Sequence, residues 1–142
     1  HDAKGRKVLD HDLDEIADKF IEFAKLMNVY LNHFPRHEKD GLAQEIRRAA
    51  YEVYALIVEA QKRYHKKNAL STLDVRHEQL RMLLHLANEL GYFSFKDAAQ
   101  AQRPAQLAAH RYLAISRLVD ELGRMLGGWI VAERDKAGRE AS

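Results

Sequence analysis

The chain has 142 residues, of which 46% are apolar and none is cysteine, so we expect one domain with one core and exclude disulfides and thiolate metal sites. Glycine and proline are scarce and good helix formers dominate, which favours an all-α fold. No apolar run reaches the roughly 18 residues of a membrane span, and the first residues lack signal-peptide character, so we expect a cytoplasmic protein.

The first predicted helix covers residues 12–34. Apolar residues recur there at alternating steps of three and four, which is the period of one helix face. Pro35 is expected to end the helix, because it disfavours the α region at the preceding residue. The apolar face consists of Leu9, Leu13, Ile16, Phe20, Phe23, Met27, Tyr30 and Phe34.

Two further helices are predicted before residue 91. The second covers residues 42–66, where apolar residues again follow the helical period. The third begins after Ser71 or Thr72, either of which is a suitable N-cap, and ends before Gly91, which is suited to the position that follows a helix.

The fourth predicted helix covers residues 105–134. Pro104 favours a first helical turn, and the segment from 92 to 103 reads as a loop, with a short helical piece at 95–102. Four amphipathic segments with short connections between the first three predict an antiparallel up-down four-helix bundle over residues 12–134. Residues 1–11 are expected to be a flexible extension and residues 135–142 a disordered tail.

The charge of the chain is unevenly distributed. Its net value is +2, but residues 61–117 hold ten Lys and Arg against four Asp and Glu. A basic region of this kind attracts polyanions by screened electrostatics and counterion release. The alternative is a solvated helix face.

The strongest cluster of cations lies at the predicted end of the second helix. Cations at a helix C-terminus also complement the helix dipole, so a well-formed helix end is the alternative explanation. Arg76 and Arg81 are expected near the same end, and Arg47 and Arg48 at the opposite end of the bundle. The candidate nucleic-acid-binding residues are Lys62, Arg63, Lys66, Lys67, Arg76, Arg81, Arg47 and Arg48.

The fourth helix carries a second candidate surface. Its apolar arc is wider than a bundle requires, and its glycines allow close approach of another backbone. Close packing inside one bundle and contact with an oligomer or partner both explain the pattern. The candidate contact residues are Gly123, Gly127, Gly128, Trp129 and Ile130.

The motifs expected of catalytic and metal-binding proteins are missing. The sequence has no His-Glu-x-x-His and no Glu-x-x-His pair, and Pro35 separates His33 from His37. His77 and His85 are about 12 Å apart by helical rise, too far to share one ion. We therefore predict no catalytic residue, no metal and no cofactor, and expect a protein that binds rather than catalyses.

Several segments resemble the accessory variability proteins (Avd) of diversity-generating retroelements. The similar segments include Phe34-Pro35-Arg36 and the string Gly-Arg-Met-Leu-Gly-Gly-Trp-Ile at 123–130, and the resemblance extends over about 13–134. The remaining similar segments are 41–50, 73–75, 90–94 and 119–122. Relative to the family, residues 96–110 look like an insertion.

The resemblance implies a homopentamer of four-helix bundles that associates with the retroelement's reverse transcriptase and with its template RNA. On this reading the protein supports mutagenic cDNA synthesis without catalysing it, and binds RNA, with DNA as a second candidate ligand. The same bundle family includes proteins encoded in intervening sequences of ribosomal RNA genes. A protein-interaction module of that type, without nucleic-acid binding, is the alternative.

Overall fold

Four long α-helices make up the fold, as seen in a computed structural model that describes the backbone of residues 2–62, 66–96 and 103–141 and the side chains of residues 13–62, 66–96 and 103–139. The helices are α1 (Asp2–Leu31), α2 (Leu42–Lys62), α3 (Lys67–Glu89) and α4 (Pro104–Ala141). A short 3-10 helix, η1 (Arg36–Glu38), lies between α1 and α2. No strand occurs within the described ranges. The predicted all-α, four-helix-bundle class is confirmed.

The core consists of one apolar face from each helix, as the spacing predicted. Helix α1 contributes the wholly buried Phe23 and Met27, α2 Ile46 and Val53, and α4 Leu122. Because burial of a large apolar side chain contributes about 1.5–3 kcal/mol, these faces supply most of the favourable free energy of folding. The other wholly buried large side chains include Leu73, Leu80, Leu84, Phe93 and Ile115.

Helix α3 begins earlier than predicted, at Lys67 rather than after Ser71 or Thr72. The earlier start buries Ala69 and Leu70 in the core. Thr72 does not cap the helix, because its hydroxyl donates to the carbonyl of Asn68 inside α3, at 2.9 Å. Tertiary burial of two apolar residues therefore outweighs the capping preference.

The end of α3 follows from one glycine. Gly91 has φ of +79°, the left-handed region that only glycine adopts without strain. The amide of Tyr92 donates to the carbonyl of Ala87, and that of Gly91 to the carbonyl of Asn88, both at 3.0 Å. These two bonds form a Schellman motif, so the predicted role of Gly91 is confirmed.

The other helix ends differ from the predictions by different amounts. Helix α4 begins at Pro104, as predicted within one residue, and runs to Ala141 instead of 134. Helix α1 begins at Asp2 instead of 12. The extension at 135–141 is rich in Ala, Lys, Arg and Glu, and the one at 2–11 contains Ala, Leu, Lys and Arg; helix propagation adds one hydrogen bond for each residue fixed. Of the predicted helical piece at 95–102, Phe95 and Lys96 are not helical and the rest lies outside the described residues.

Contacts between helices define the two ends of the bundle. Phe20 meets Tyr54 while Asn28 meets Tyr51, so these contacts run in opposite order along α1 and α2. Helix α1 also pairs with α4 through Lys19 and Glu121. We call the end with the α2–α3 connection and Glu133 the junction end. The end with the α1–α2 connection and Arg111 is called the far end.

Candidate nucleic-acid interface

The four cations predicted around residue 65 lie at the junction end. Lys62 is the last residue of α2 and Lys67 the first residue of α3, and both are exposed. Arg63 lies outside the described residues. Neither Lys62 nor Lys67 has an ion-pair partner among the side chains that the structure describes. Lys62 and Lys67 are therefore free to meet an anion from solution.

Lys66 has a different environment from its neighbours. Its ammonium lies 3.3 Å from the carboxylate of Glu133, and the two side chains are only 15% and 13% exposed. This ion pair joins the start of α3 to the last part of α4. The pair consequently holds α3 against α4, and each of its charges compensates the other.

Arg76 and Arg81 of α3 are also paired with carboxylates. The Nε atom of Arg76 donates to Glu52 at 2.7 Å, which joins α3 to α2. Arg81 donates to both carboxylate oxygens of Glu78, at 3.0 and 2.5 Å. The hydrogen bonds from Arg81 lower the pKa of Glu78, and those same bonds raise the pKa of Arg81. The net charge that these two arginines offer to a polyanion is thereby reduced.

Arg47 and Arg48 lie in the first turns of α2, about 22 Å along the helix axis from Lys62. Arg48 pairs with Glu45 at 3.3 Å. Arg47 instead donates to the amide oxygens of Asn28 and Asn32, both at 3.0 Å. Because amides are neutral, Arg47 is held in place with its charge uncompensated. Arg76 and Arg81 lie about 14 and 21 Å along α3 from Lys67, so they do not join Lys62 and Lys67 at the junction end as expected. The seven described cations therefore do not form one surface.

The glycines of α4 lie in two different environments. A Cβ on Gly123 would come within 2.5 Å of the His77 ring, so this glycine makes room for an imidazole packed across α3 and α4. The Nε2 atom of His77 lies 2.7 Å from the carbonyl oxygen of Val119, with which it hydrogen-bonds. A Cβ on Gly127 or Gly128 would have no described atom within 4 Å. Gly123 thus serves packing inside the bundle, while Gly127 and Gly128 leave open space.

Trp129 and Ile130 belong largely to the core of their own chain. Trp129 is 5% exposed, and Ile130 packs against the core while partly exposed. A cavity of about 280 Å³ beside Trp129 lies between α1 and α4. Its lining residues are Leu13, Glu15, Ile16, Met125, Gly128, Trp129 and Ala132.

The far end contains a cluster that the sequence pattern did not predict. Arg111 is 6% exposed, and its Nη1 atom donates to the carbonyls of Phe93 at 2.9 Å and Phe95 at 2.5 Å. Its guanidinium carbon lies 3.6 Å from the centre of the Phe95 ring. The ring of His33 is stacked on Phe95, with centres 4.5 Å apart and planes 12° apart. We call His33, Phe95 and Arg111 the stacked cluster.

Tyr30 borders the stacked cluster. Its ring centre lies 6.2 Å from that of Phe95. Burial raises the pKa of Tyr30, and the positive charge of Arg111 partly opposes this rise. An arginine in an apolar helix position gives no periodic signal, and the segment from 92 to 103 has no clear period. For these reasons a helical-spacing argument could not find the cluster.

Metal sites and membrane-spanning helices are both missing from the described residues. No group of three or more His, Asp or Glu side chains is placed to hold a metal ion there. Within the same residues, no helix is long and apolar enough to cross a bilayer.

The chain matches a family of known proteins. A family model described as bAvd-like matches residues 15–106, which is more than half of the chain and spans most of α1, α2, α3 and the start of α4. The glycine-rich string at 123–130, which carries part of the resemblance seen in the sequence, lies beyond the matched residues. No curated protein matches the chain.

Proposed function

Because the chain belongs to the bAvd-like family, the accessory variability proteins of diversity-generating retroelements, we propose that it binds the reverse transcriptase and the template RNA of such an element. In this role it supports mutagenic cDNA synthesis in the cytoplasm without catalysing a reaction itself. The observation that carries the proposal is the family match over three helices and the start of the fourth.

Nucleic-acid binding is supported by the charge of the junction end. Lys62 and Lys67 are exposed and have no described carboxylate partner. A protein that neutralises phosphates with such cations releases counterions, which gives affinity with little sequence discrimination. We propose Arg63, Lys66, Arg76 and Arg81, together with Arg47 and Arg48 toward the other end of the bundle, as further nucleic-acid contacts.

The contacts with other subunits and with the protein partner are assigned to α4 in this proposal. Gly127 and Gly128 leave space for a second backbone, and Ile130 retains some exposure. We propose that this side of α4 contacts a neighbouring subunit or the reverse transcriptase. The number of subunits, five, follows from the family resemblance rather than from any spacing in the chain.

The second candidate function is a protein-interaction bundle of the ribosomal-RNA intervening-sequence type, without nucleic-acid binding. One observation favours it. Arg48, Lys66, Arg76 and Arg81, half of the proposed nucleic-acid contacts, are paired with carboxylates. Paired cations attract phosphates less than free ones do, because the phosphate must either displace the carboxylate or bind beside its negative charge.

Co-purification and cDNA synthesis test the proposal directly. The full chain is combined with the reverse transcriptase and template RNA of its own retroelement, and cDNA is measured with and without the chain. An accessory protein co-purifies with the enzyme and raises the yield of cDNA, while the chain alone makes none. Normal co-purification without RNA binding or an effect on cDNA would favour the interaction module instead.

A further inference from the structure

The far end combines uncompensated cations with a stack of planar side chains. Arg47 is held by two amides, and Arg111 by two backbone carbonyls and a phenyl ring. Arg36 and Lys96 are exposed and adjoin the stacked cluster in sequence. None of these four cations has a carboxylate within ion-pair distance among the described residues. In α3, by contrast, Arg76 and Arg81 are each paired with a carboxylate.

Three carboxylates of the far end have other partners, and Asp40 is exposed there. Glu45 pairs with Arg48, and Glu89 lies 3.8 Å from His85. The pKa of Tyr92 is raised by burial and by its hydrogen bond to Glu38. Glu38 keeps its negative charge, because a tyrosine hydroxyl is neutral, but no described carboxylate lies within ion-pair distance of the four cations.

The outermost group of the stacked cluster is a planar side chain. The guanidinium of Arg111 and the imidazole of His33 both lie within 4.5 Å of the Phe95 ring centre, a separation that leaves room for them only on opposite faces. Arg111 is buried and His33 is exposed, so the order from inside to outside is Arg111, Phe95, His33. The outer group of the stack is thus an aromatic ring, which neighbours the exposed Arg36 in sequence and follows Asn32, the residue that holds Arg47.

We propose that the far end binds single-stranded nucleic acid, with a base stacked on His33 and the adjoining phosphates held by Arg36, Arg47 and Lys96. Single strands bind proteins in this way, because every base has a face that stacks on an aromatic ring while cations follow the backbone. Arg111 and Phe95 act as positioning residues, since they hold the imidazole in a fixed plane. The inference rests on the proposed function and assigns it a second surface, remote from the junction end.

Replacement of His33 tests the stacking step. Fluorescently labelled single-stranded oligoadenylate and inorganic polyphosphate are each titrated with the folded chain. We expect His33→Ala to weaken oligoadenylate binding about tenfold and His33→Phe to restore it, because a phenyl ring also stacks. Binding of polyphosphate, which has no bases, should be the same in all three proteins. An RNA oligomer and a DNA oligomer of the same sequence show which nucleic acid the surface prefers.

A matched pair of cations tests the electrostatic step. Arg47→Gln removes an uncompensated charge at the far end, and Lys19→Gln removes one that is paired with Glu121 and lies outside the proposed nucleic-acid contacts. We expect only Arg47→Gln to weaken both ligands and to reduce the salt dependence of binding, by about 0.7 in slope.

The outcomes separate this inference from the proposed function. Wild-type binding that is unchanged by His33→Ala and Arg47→Gln would overturn the far-end site alone. An equal loss of oligoadenylate and polyphosphate binding in His33→Ala would overturn stacking. Failure of the wild type to bind any oligonucleotide would overturn both the site and the nucleic-acid part of the proposed function.

Discussion

At the position of Gly123, one missing methyl group determines how α3 packs on α4. The His77 ring occupies the space that a Cβ would fill, and it hydrogen-bonds the carbonyl of Val119. Glycine inside a helix costs about 0.5–1 kcal/mol relative to alanine. The packed and hydrogen-bonded imidazole offsets this cost.

Substitution of the glycines in α4 should therefore have opposite effects. We expect Gly123→Ala to lower the free energy of unfolding by about 1 kcal/mol, because the clash with His77 outweighs the gain in helix propensity. Gly127→Ala is the matched control, since nothing described lies within 4 Å of its Cβ, and it should raise the free energy by about 0.5–1 kcal/mol. Urea denaturation of both variants measures the difference. Stabilisation by Gly123→Ala would refute the packing role.

The sequence predicted which residues lie on the buried face of each helix better than it predicted what each side chain contacts. The glycine pattern left packing and partner contact open, and only the location of His77 separates Gly123 from Gly127 and Gly128. The stacked cluster was missed, because its three members come from distant parts of the chain and share no spacing. Periodicity reports which face of a helix is apolar, whereas contacts between polar side chains depend on how the helices cross.

Among the helices, α4 is anchored to the end of the preceding segment by Arg111. The two carbonyls that accept from Arg111 belong to Phe93 and Phe95, on the far side of the connection from 97 to 103. We expect Arg111→Met to lower the free energy of unfolding by about 2–4 kcal/mol, because two carbonyls lose their donor and the cation–π contact is lost.

Arg117→Met is the control for that change. Arg117 is exposed on the same helix and has no described partner, so its replacement should alter the free energy of unfolding by less than about 0.5 kcal/mol. Denaturant midpoints of the two variants give the comparison. Equal midpoints would show that Arg111 does not anchor the segment.

The ion pair of Lys66 and Glu133 ties α3 to α4 at the junction end. We expect Glu133→Gln to lower the free energy of unfolding by about 1–2 kcal/mol, since removal leaves a largely buried ammonium without its partner. Glu78→Gln, which breaks an exposed pair within α3, should cost less than about 0.5 kcal/mol. Thermal denaturation compares them, and a larger loss in Glu78→Gln would contradict this reading.

Helices were predictable to the extent that tertiary contacts agree with local preference. The start of α2 at Leu42, the start of α4 at Pro104 and the stop at Gly91 all follow from sequence. The start of α3 does not, because burial of Ala69 and Leu70 overrides the caps at Ser71 and Thr72. Local signals mark where a helix can end, and packing selects among them.

At the scale of the whole molecule, we expect several copies of the chain to associate into one oligomer. Sedimentation equilibrium should give about five times the 16.4 kDa of one chain if the family's pentamer forms. Gly128→Arg places a large side chain in the open space beside α4 and should reduce the mass toward that of one chain, while helicity is kept. A wild-type chain that sediments as a monomer would contradict the pentamer.

If the bundle binds nucleic acid through cations, as we propose, its affinity for RNA must fall as the salt concentration rises. Affinity of the wild-type chain for single-stranded RNA is measured across salt concentrations, together with a variant in which Lys62, Arg63 and Lys67 are replaced by Glu and Lys66 is kept because it pairs with Glu133. We expect log affinity to fall linearly with log salt, by about 0.7 for each phosphate neutralised, and the variant to keep its helicity but bind far more weakly. No binding by the wild type at low salt, or equal binding by the variant, would contradict this expectation.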